Sequence, residues 1–90
     1  MSVQVKIPAP LRPMTGGAAS VECEPGSIAQ LIEQVDARHT GFRERVTQDG
    51  ALRRFVNVFV QGEDVRFAEG IDTEVADGQE VTILPAVAGG

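Results

Sequence analysis

The stretch "PGSIAQLIEQVDARHTG", residues 25–41, predicts one long helix and decides what the rest of the chain must form. Ser27 is a suitable N-cap, and Gln30 three positions later completes a capping-box pattern. Arg38 places positive charge in the last turn, where the helix dipole favours it, and Gly41 is a typical stop. The i, i+3, i+4, i+7 spacing marks one apolar stripe: Ile28, Leu31, Ile32 and Val35. This stripe requires an apolar surface to pack on.

The residues before the helix predict a β-hairpin. The segments "SVQVKIP" (2–8) and "SVECE" (20–24) both alternate apolar and polar residues, as half-buried strands do. Between them, "APLRPMTGGAA" (9–19) is rich in proline and glycine and indicates a chain reversal. The inward-facing positions are Val3, Val5, Ile7, Val21 and Cys23.

The residues after the helix predict further strands. "FRERV" (42–46) is expected to add a short helical turn, and "FVNVFV" (55–60) to form a strand. That strand has apolar residues on both faces, so it is either central or keeps one face for a partner. "VRF" (65–67) is expected to be briefly extended, and "GIDTEVADGQ" (70–79) to be a polar connection. "EVTILP" (80–85) predicts the last strand.

Taken together, these elements predict an α+β fold. One main helix packed across one face of a mixed sheet of roughly four to five strands is the two-layer solution for this element order. No internal repeat, linker or second domain is evident.

Composition narrows the class of protein. The 90 residues and 42% hydrophobic content fit one small globular domain. The net charge of -5 argues against nucleic acid and anionic membrane surfaces, because there is no basic excess. No segment approaches the ~20 apolar residues of a membrane span, and the first residues lack the pattern of a signal peptide. We therefore expect a cytoplasmic protein. The single cysteine excludes an internal disulfide and an all-cysteine metal site.

The interior of the chain offers no convincing catalytic group. Cys23 falls on an inward strand position, where a free cysteine is usually core. His39 has no nucleophile or carboxylate arranged around it, so a surface helix end is the better interpretation. Glu63 and Asp64 could be an acid/base pair, but adjacent acidic residues in a turn are usually solvated. No metal-ligand spacing, P-loop or nucleophile elbow occurs, so no bound metal or cofactor is predicted.

A basic cluster stands out in this acidic chain. It consists of Arg43, Arg45, Arg53 and Arg54. Two interpretations stay open: a docking site for an acidic partner surface, or a solvated loop whose side chains lie over apolar surface. Two arginines of the cluster and one face of strand 55–60 give a possible partner-facing surface, although the sequence does not indicate which face of the strand is exposed: Arg53, Arg54, Phe55 and Phe59.

The sequence ends in "PAVAGG", residues 85–90, and this segment is the remaining candidate site. Pro85 is expected to stop sheet pairing. The residues beyond it, Ala86, Val87, Ala88, Gly89 and Gly90, carry no side-chain charge and could thread a narrow channel. The α-carboxylate of Gly90 is the one reactive group, and an acyl-adenylate would make it attackable. Gly16 and Gly17 are expected to form only a turn, so the dipeptide alone proves little. We predict a domain over residues 1–85 and a flexible tail over 86–90.

Several segments together resemble a known family. The strand order, "LRPMTGG", "RFVNVFVQGEDVRF" and "DGQEVTILPAVAGG" are similar to the ubiquitin-like sulfur carriers of the ThiS/MoaD family, which have the β-grasp fold. Within that family the chain most resembles the CysO-type carriers of cysteine biosynthesis in actinobacteria. The resemblance covers essentially the whole chain.

The resemblance implies a reaction cycle centred on Gly90. An adenylyltransferase of the ThiF/MoeB type would adenylate its carboxylate with ATP, and a sulfur donor would replace AMP to leave a thiocarboxylate. A PLP-dependent cysteine synthase would supply the acceptor, and a metallopeptidase would release the product. The carrier would be a protein co-substrate without catalytic residues.

Other functions use the same tail. A ubiquitin-like modifier would end in an isopeptide bond to lysine. A small synthase subunit would stay docked through an apolar sheet face, and carriers for thiamine, molybdopterin or secondary-metabolite synthesis would differ mainly in the sulfur acceptor.

Overall fold

The computed structural model of the protein describes residues 2–54 and 56–85. Strands and helices follow one another in chain order: β1 (Val3–Lys6), β2 (Ser20–Cys23), β3 (Gly26–Ser27), α1 (Ile28–Arg38), α2 (Phe42–Val46), β4 (Thr47–Gln48), β5 (Ala51–Leu52), β6 (Val56–Val60), β7 (Glu63–Asp64), β8 (Glu74–Val75) and β9 (Glu80–Pro85). Turns of 3₁₀ helix cover Ala9–Thr15, Val65–Phe67 and Gly70–Asp72.

A five-stranded mixed sheet forms one layer, in the order β2-β1-β9-β6-β7. The predicted hairpin is confirmed, because β1 and β2 pair antiparallel with Val5 opposite Val21. β9 pairs parallel with β1 and antiparallel with β6, where Val58 lies opposite Ile83. The final strand is therefore the centre of the sheet.

Helix α1 forms the second layer and confirms the helix prediction. The Ser27 hydroxyl accepts a hydrogen bond from the Gln30 amide at 3.2 Å, and the Gln30 side chain accepts one from the Ser27 amide at 2.8 Å. This is the predicted capping box. The apolar stripe is buried against the inward residues of the sheet in one core, and burying each side chain contributes roughly 1.5–3 kcal/mol before entropy is counted.

The short helix α2 also forms where it was predicted. The Asp36 carboxylate accepts hydrogen bonds from the amides of Gly41 and Arg43, both at 3.0 Å, and so ties α2 to α1. Gly41 has φ of 100°, a left-handed conformation that favours glycine. Phe42, the first residue of α2, is fully buried in the core.

Two predictions for the later segments are wrong. Residues 65–67 form a 3₁₀ turn rather than an extended segment, because the Asp64 carboxylate accepts from the Arg66 amide at 2.8 Å and starts a turn. Residues 70–79 are more than a polar connection: they contain a 3₁₀ turn and then β8, which pairs with β3.

A small hairpin of β4 and β5 was not predicted. Its turn residues Asp49 and Gly50 both have positive φ, 53° and 79°. Positive φ at both central positions is what a two-residue Asp-Gly hairpin turn requires. The "DG" signal was present in the sequence, but the flanking strands of two residues each are too short to show periodicity.

The structure settles which face of β6 is covered. Val56 and Val58 are buried in the core, whereas Asn57 and Phe59 lie half-buried on the opposite face. β6 lies between β9 and the two-residue β7. The half-buried Asn57 and Phe59 show that its second face is only partly covered.

Candidate functional site

The candidate site begins where β9 ends. Pro85 is the last described residue of the strand and lies in register opposite Val56, so β9 includes the proline. The predicted tail lies outside the described residues: Ala86, Val87, Ala88, Gly89 and Gly90. The prediction of a flexible tail therefore remains a prediction. The geometry does fix its starting point, at one end of the central strand.

The sheet face beside that starting point is partly open and carries two apolar side chains, Phe59 and Leu84. Leu84 is 46% exposed although it lies next to Ile83, which is 2% exposed. Leu84 pairs with Asn57, and Thr82 pairs with Phe59 on the same outer face. We call Phe59, Thr82 and Leu84 the outer patch. Phe55, the fourth residue of the predicted partner surface, lies outside the described residues.

The predicted arginine cluster does not act as one set of free charges. Arg53 is half-buried, and its guanidinium donates to the Glu44 carbonyl at 2.8 Å and the Gln48 side chain at 3.2 Å. Arg43 forms an ion pair with Glu33 at 3.5 Å. These contacts support the solvated-loop interpretation for Arg43 and Arg53. The side chains of Arg45 and Arg54 are exposed.

Sequence reasoning missed one exposed aromatic residue. Phe67, at the end of the 3₁₀ turn, is 91% exposed. An extended "VRF" with alternating faces would have given no reason to single it out. Its exposure follows from the turn that begins at Asp64.

Two of the groups that were expected to be structural have structural roles, Cys23 and Asp64. Cys23 is buried, and its burial raises the pKa of the thiol; the nearby Arg38 opposes this shift and Glu22 adds to it. The thiol is therefore protonated and poorly reactive at neutral pH. The backbone carbonyl of His39, beyond α1, accepts from the Phe42 amide. Asp64 caps the 3₁₀ turn rather than pairing with Glu63 as an acid and base.

A cleft of about 500 Å³ lies between α1, α2 and the β4–β5 hairpin, and Ile32, Ile71 and Arg43 contribute to its walls. Its arginines already bind groups of the chain, as described for Arg43 and Arg53. Every buried polar side-chain atom in the described part of the chain has a hydrogen-bond partner. The cleft therefore gives no indication of a ligand.

Metal binding and membrane insertion receive no support from the described residues. Across residues 2–54 and 56–85, no group of three or more His, Cys, Asp or Glu side chains could hold a metal ion. Over the same ranges, the helices are all too short or too polar to cross a bilayer.

Comparison with known proteins identifies a family and several relatives, including one that matches along its full length. The ThiS family profile matches residues 5–90. Sulfur carrier protein CysO of Mycobacterium tuberculosis is 48% identical over 93 residues, covering 100% of both chains. Small archaeal modifier protein 3 of Haloferax volcanii is 31% identical over 64 residues, 71% of this chain and 70% of the relative.

Two solved structures are similar along nearly the whole chain. A chain of the Amycolatopsis orientalis BexX/CysO complex superposes with a TM-score of 0.93 at 49% identity, covering 98% of this chain and 99% of that one. M. tuberculosis CysO gives a TM-score of 0.88 at 46% identity, covering 94% and 99%. The fold is thus the predicted β-grasp, and the chain belongs to the ThiS family, whose full-length relatives here are named as carrier proteins rather than enzymes.

Proposed function

We propose that this chain is a sulfur carrier protein whose terminal Gly90 carboxylate becomes a thiocarboxylate and donates sulfur in cysteine biosynthesis. The observation that carries this proposal is the 48% identity to CysO over the full length of both chains. The placement of β9 agrees with it, because a central strand leads directly towards the segment that would react.

The chemistry needs activation because a carboxylate is a poor electrophile. A carboxylate oxygen of Gly90 attacks the α-phosphate of ATP, which releases pyrophosphate and leaves an acyl-adenylate. A sulfur nucleophile then attacks the carbonyl carbon, and the bond to AMP breaks to leave the thiocarboxylate. ATP is used by the activating enzyme and is not a cofactor of the carrier.

The carrier's own residues supply presentation rather than catalysis. Ala86, Val87, Ala88 and Gly89 are small enough for the backbone to enter a narrow active-site channel. The outer patch provides an apolar surface next to the start of that tail. Exposed apolar patches of this kind often mark contacts with other proteins.

The proposed partners act in turn on the same tail. A ThiF/MoeB-type adenylyltransferase activates it, and a sulfur donor loads it. A PLP-dependent cysteine synthase uses the loaded tail, and a metallopeptidase then cleaves the cysteinyl adduct. Each enzyme must accept the same narrow segment, so bulk at Gly89 is expected to impair every step.

Intact-protein mass spectrometry tests the proposal. After incubation with a matched adenylyltransferase, ATP and sulfide, we expect the mass change of one oxygen replaced by one sulfur. A chain lacking Gly90 and a reaction without ATP should show no change. An unchanged mass with an adenylyltransferase that loads another carrier would overturn the proposal.

A second candidate function is protein modification, favoured by the similarity to the archaeal modifier. It uses the same activated Gly90 but transfers it to a lysine amine on a target. Lysine-linked conjugates of higher mass in cell extract would support this function. Lys6 is the one lysine of the sequence, so chains of the protein on itself would have to pass through that residue.

A further inference from the structure

Arg66 makes an unusually complete set of contacts for an exposed residue. Its Nη1 donates to Asn57 Oδ1 at 2.6 Å, and its Nη2 donates to the carbonyl oxygens of Arg53 at 2.9 Å and Val56 at 2.7 Å. The Arg66 amide is held in turn by the Asp64 carboxylate. One guanidinium thus links the 3₁₀ turn to the segment that enters β6.

The contacts of Arg66 with Val56 and Asn57 lie beside the end of β9 in the sheet. Val56 is in register with Pro85, and Asn57 is in register with Leu84. Two of the three residues that Arg66 contacts are therefore direct neighbours of the last described residues before the tail.

Val56 and Pro85 form a non-hydrogen-bonded pair of the antiparallel ladder, because the Gln61 amide donates to the Glu80 carbonyl at 3.1 Å and hydrogen-bonded pairs recur at every second position from there. The Val56 amide bonds back to the Arg53 carbonyl at 3.0 Å, which closes a turn. The backbone amide and carbonyl of Val56 therefore point away from β9, and the carbonyl accepts from Arg66. Arg66 therefore bonds the outer edge of β6 at Val56, beyond Phe59 and Val60, with which β7 pairs.

We propose that Arg66 is a positioning residue for activation of the tail. It fixes the strand end from which the tail departs, so that the carboxylate of Gly90 reaches the adenylation site in a reactive arrangement. This inference rests on the proposed function. Lysine cannot replace the arginine fully, because its single nitrogen does not match the spread of three acceptors.

The kinetic test compares Arg66→Met and Arg66→Lys with Arg38→Met. Arg38 is a matched control, because it is also exposed and its guanidinium donates to a strand carbonyl, that of Glu22, at 2.6 Å. Glu22 pairs with Gln4, and Gln4 pairs with Glu80, so this contact lies at the start of β9 rather than at its end. Small misplacements of reacting groups can cost about a hundredfold in rate, so we expect kcat for thiocarboxylate formation to fall at least roughly tenfold in Arg66→Met. KM should stay within about threefold of the wild-type value, since the folded domain should still bind the adenylyltransferase. Arg66→Lys should be intermediate, and Arg38→Met close to wild type.

A second readout does not depend on activity. In the free protein, hydrogen exchange of the backbone amides should become faster at 56–58 and 83–84 in Arg66→Met, but not in Arg38→Met. The same exchange measurement on Arg66→Lys covers the case in which Arg66→Met does not fold. Circular dichroism identifies folded variants.

Each outcome has a separate meaning. Unchanged exchange at this strand end overturns the inference, as does a rise in KM alone, which would make Arg66 a contact residue. Equal losses in Arg66→Met and Arg38→Met also overturn it. If the wild-type protein forms no thiocarboxylate with a competent enzyme, the proposed function fails, while the exchange data still decide whether Arg66 holds the strand end.

Discussion

The two faces of the central strand carry apolar residues for different purposes. Ile83 points into the core, where it is 2% exposed, and Leu84 points to the outer face, where it is 46% exposed. The two residues are neighbours on β9 with similar side chains, so only their side of the sheet separates them. The inner face holds the helix, and the outer face is left available for contacts with other molecules.

The polar residues of the outer face also contribute less to stability than the buried residues of the inner face. Lys6 and Glu80 form an ion pair at 3.4 Å on neighbouring strands, with both side chains about half exposed. An exposed pair of this kind contributes only about 0–1 kcal/mol. The outer face can therefore change its residues without much cost to the fold.

Replacing Ile83 with alanine is expected to have the largest effect on stability. The change removes buried methyl groups from the centre of the core, and large-to-small changes of this kind cost about 2–5 kcal/mol. Urea unfolding followed by circular dichroism measures the free energy of unfolding. A loss below about 1 kcal/mol would show that the two faces of β9 are less different than their burial indicates.

Replacing Leu84 with alanine is expected to leave the stability nearly unchanged and to weaken binding to the adenylyltransferase. The free energy of unfolding should change by about 0.5 kcal/mol or less, as is usual for surface sites. If the outer patch docks the adenylyltransferase, KM for thiocarboxylate formation should rise about tenfold, which corresponds to a 1.4 kcal/mol contact. Thr82→Ala on the same face is the control for stability. A large loss of stability with unchanged KM would assign Leu84 to the fold instead.

Replacing Cys23 with alanine is expected to have the smallest effect. It tests the burial of the inner face through the pH dependence of the free energy of unfolding. Burial raises the thiol pKa in the folded state, so the folded protein holds this proton more tightly than the unfolded chain. The resulting stability is fully present below the ordinary thiol pKa of about 8.5 and is lost as pH rises above it. Cys23→Ala should remove that part of the pH dependence. Equal slopes for both proteins in denaturant titrations at alkaline pH would contradict a buried thiol.

The elements that could be predicted from sequence are those whose signals are local. The capping box at Ser27 and the alternation of β1 and β9 lie within a few residues of the structures they specify. The fold class followed from these elements, and the resemblance to a carrier family narrowed it to the β-grasp.

The features that could not be predicted depend on long-range contacts. β3 and β8 are two residues each and pair across most of the chain, so neither shows a period of its own. The bonds of Arg66 go mainly to backbone carbonyls, which have no sequence signature. The role of Arg53 as a loop anchor was hidden for the same reason, since one of its acceptors is the Glu44 carbonyl.

The central position of β9 has a consequence for how the protein is made. A ribosome produces this strand after every other strand of the sheet, yet β1 and β6 are joined only through it. Until β9 has been synthesised, the β1–β2 hairpin and the β6–β7 pair have no common partner and the core stays open. We therefore expect a chain that stops before Glu80 to remain unfolded and to be degraded by proteases. Folding itself thus selects the molecules that carry the strand leading to the reactive end.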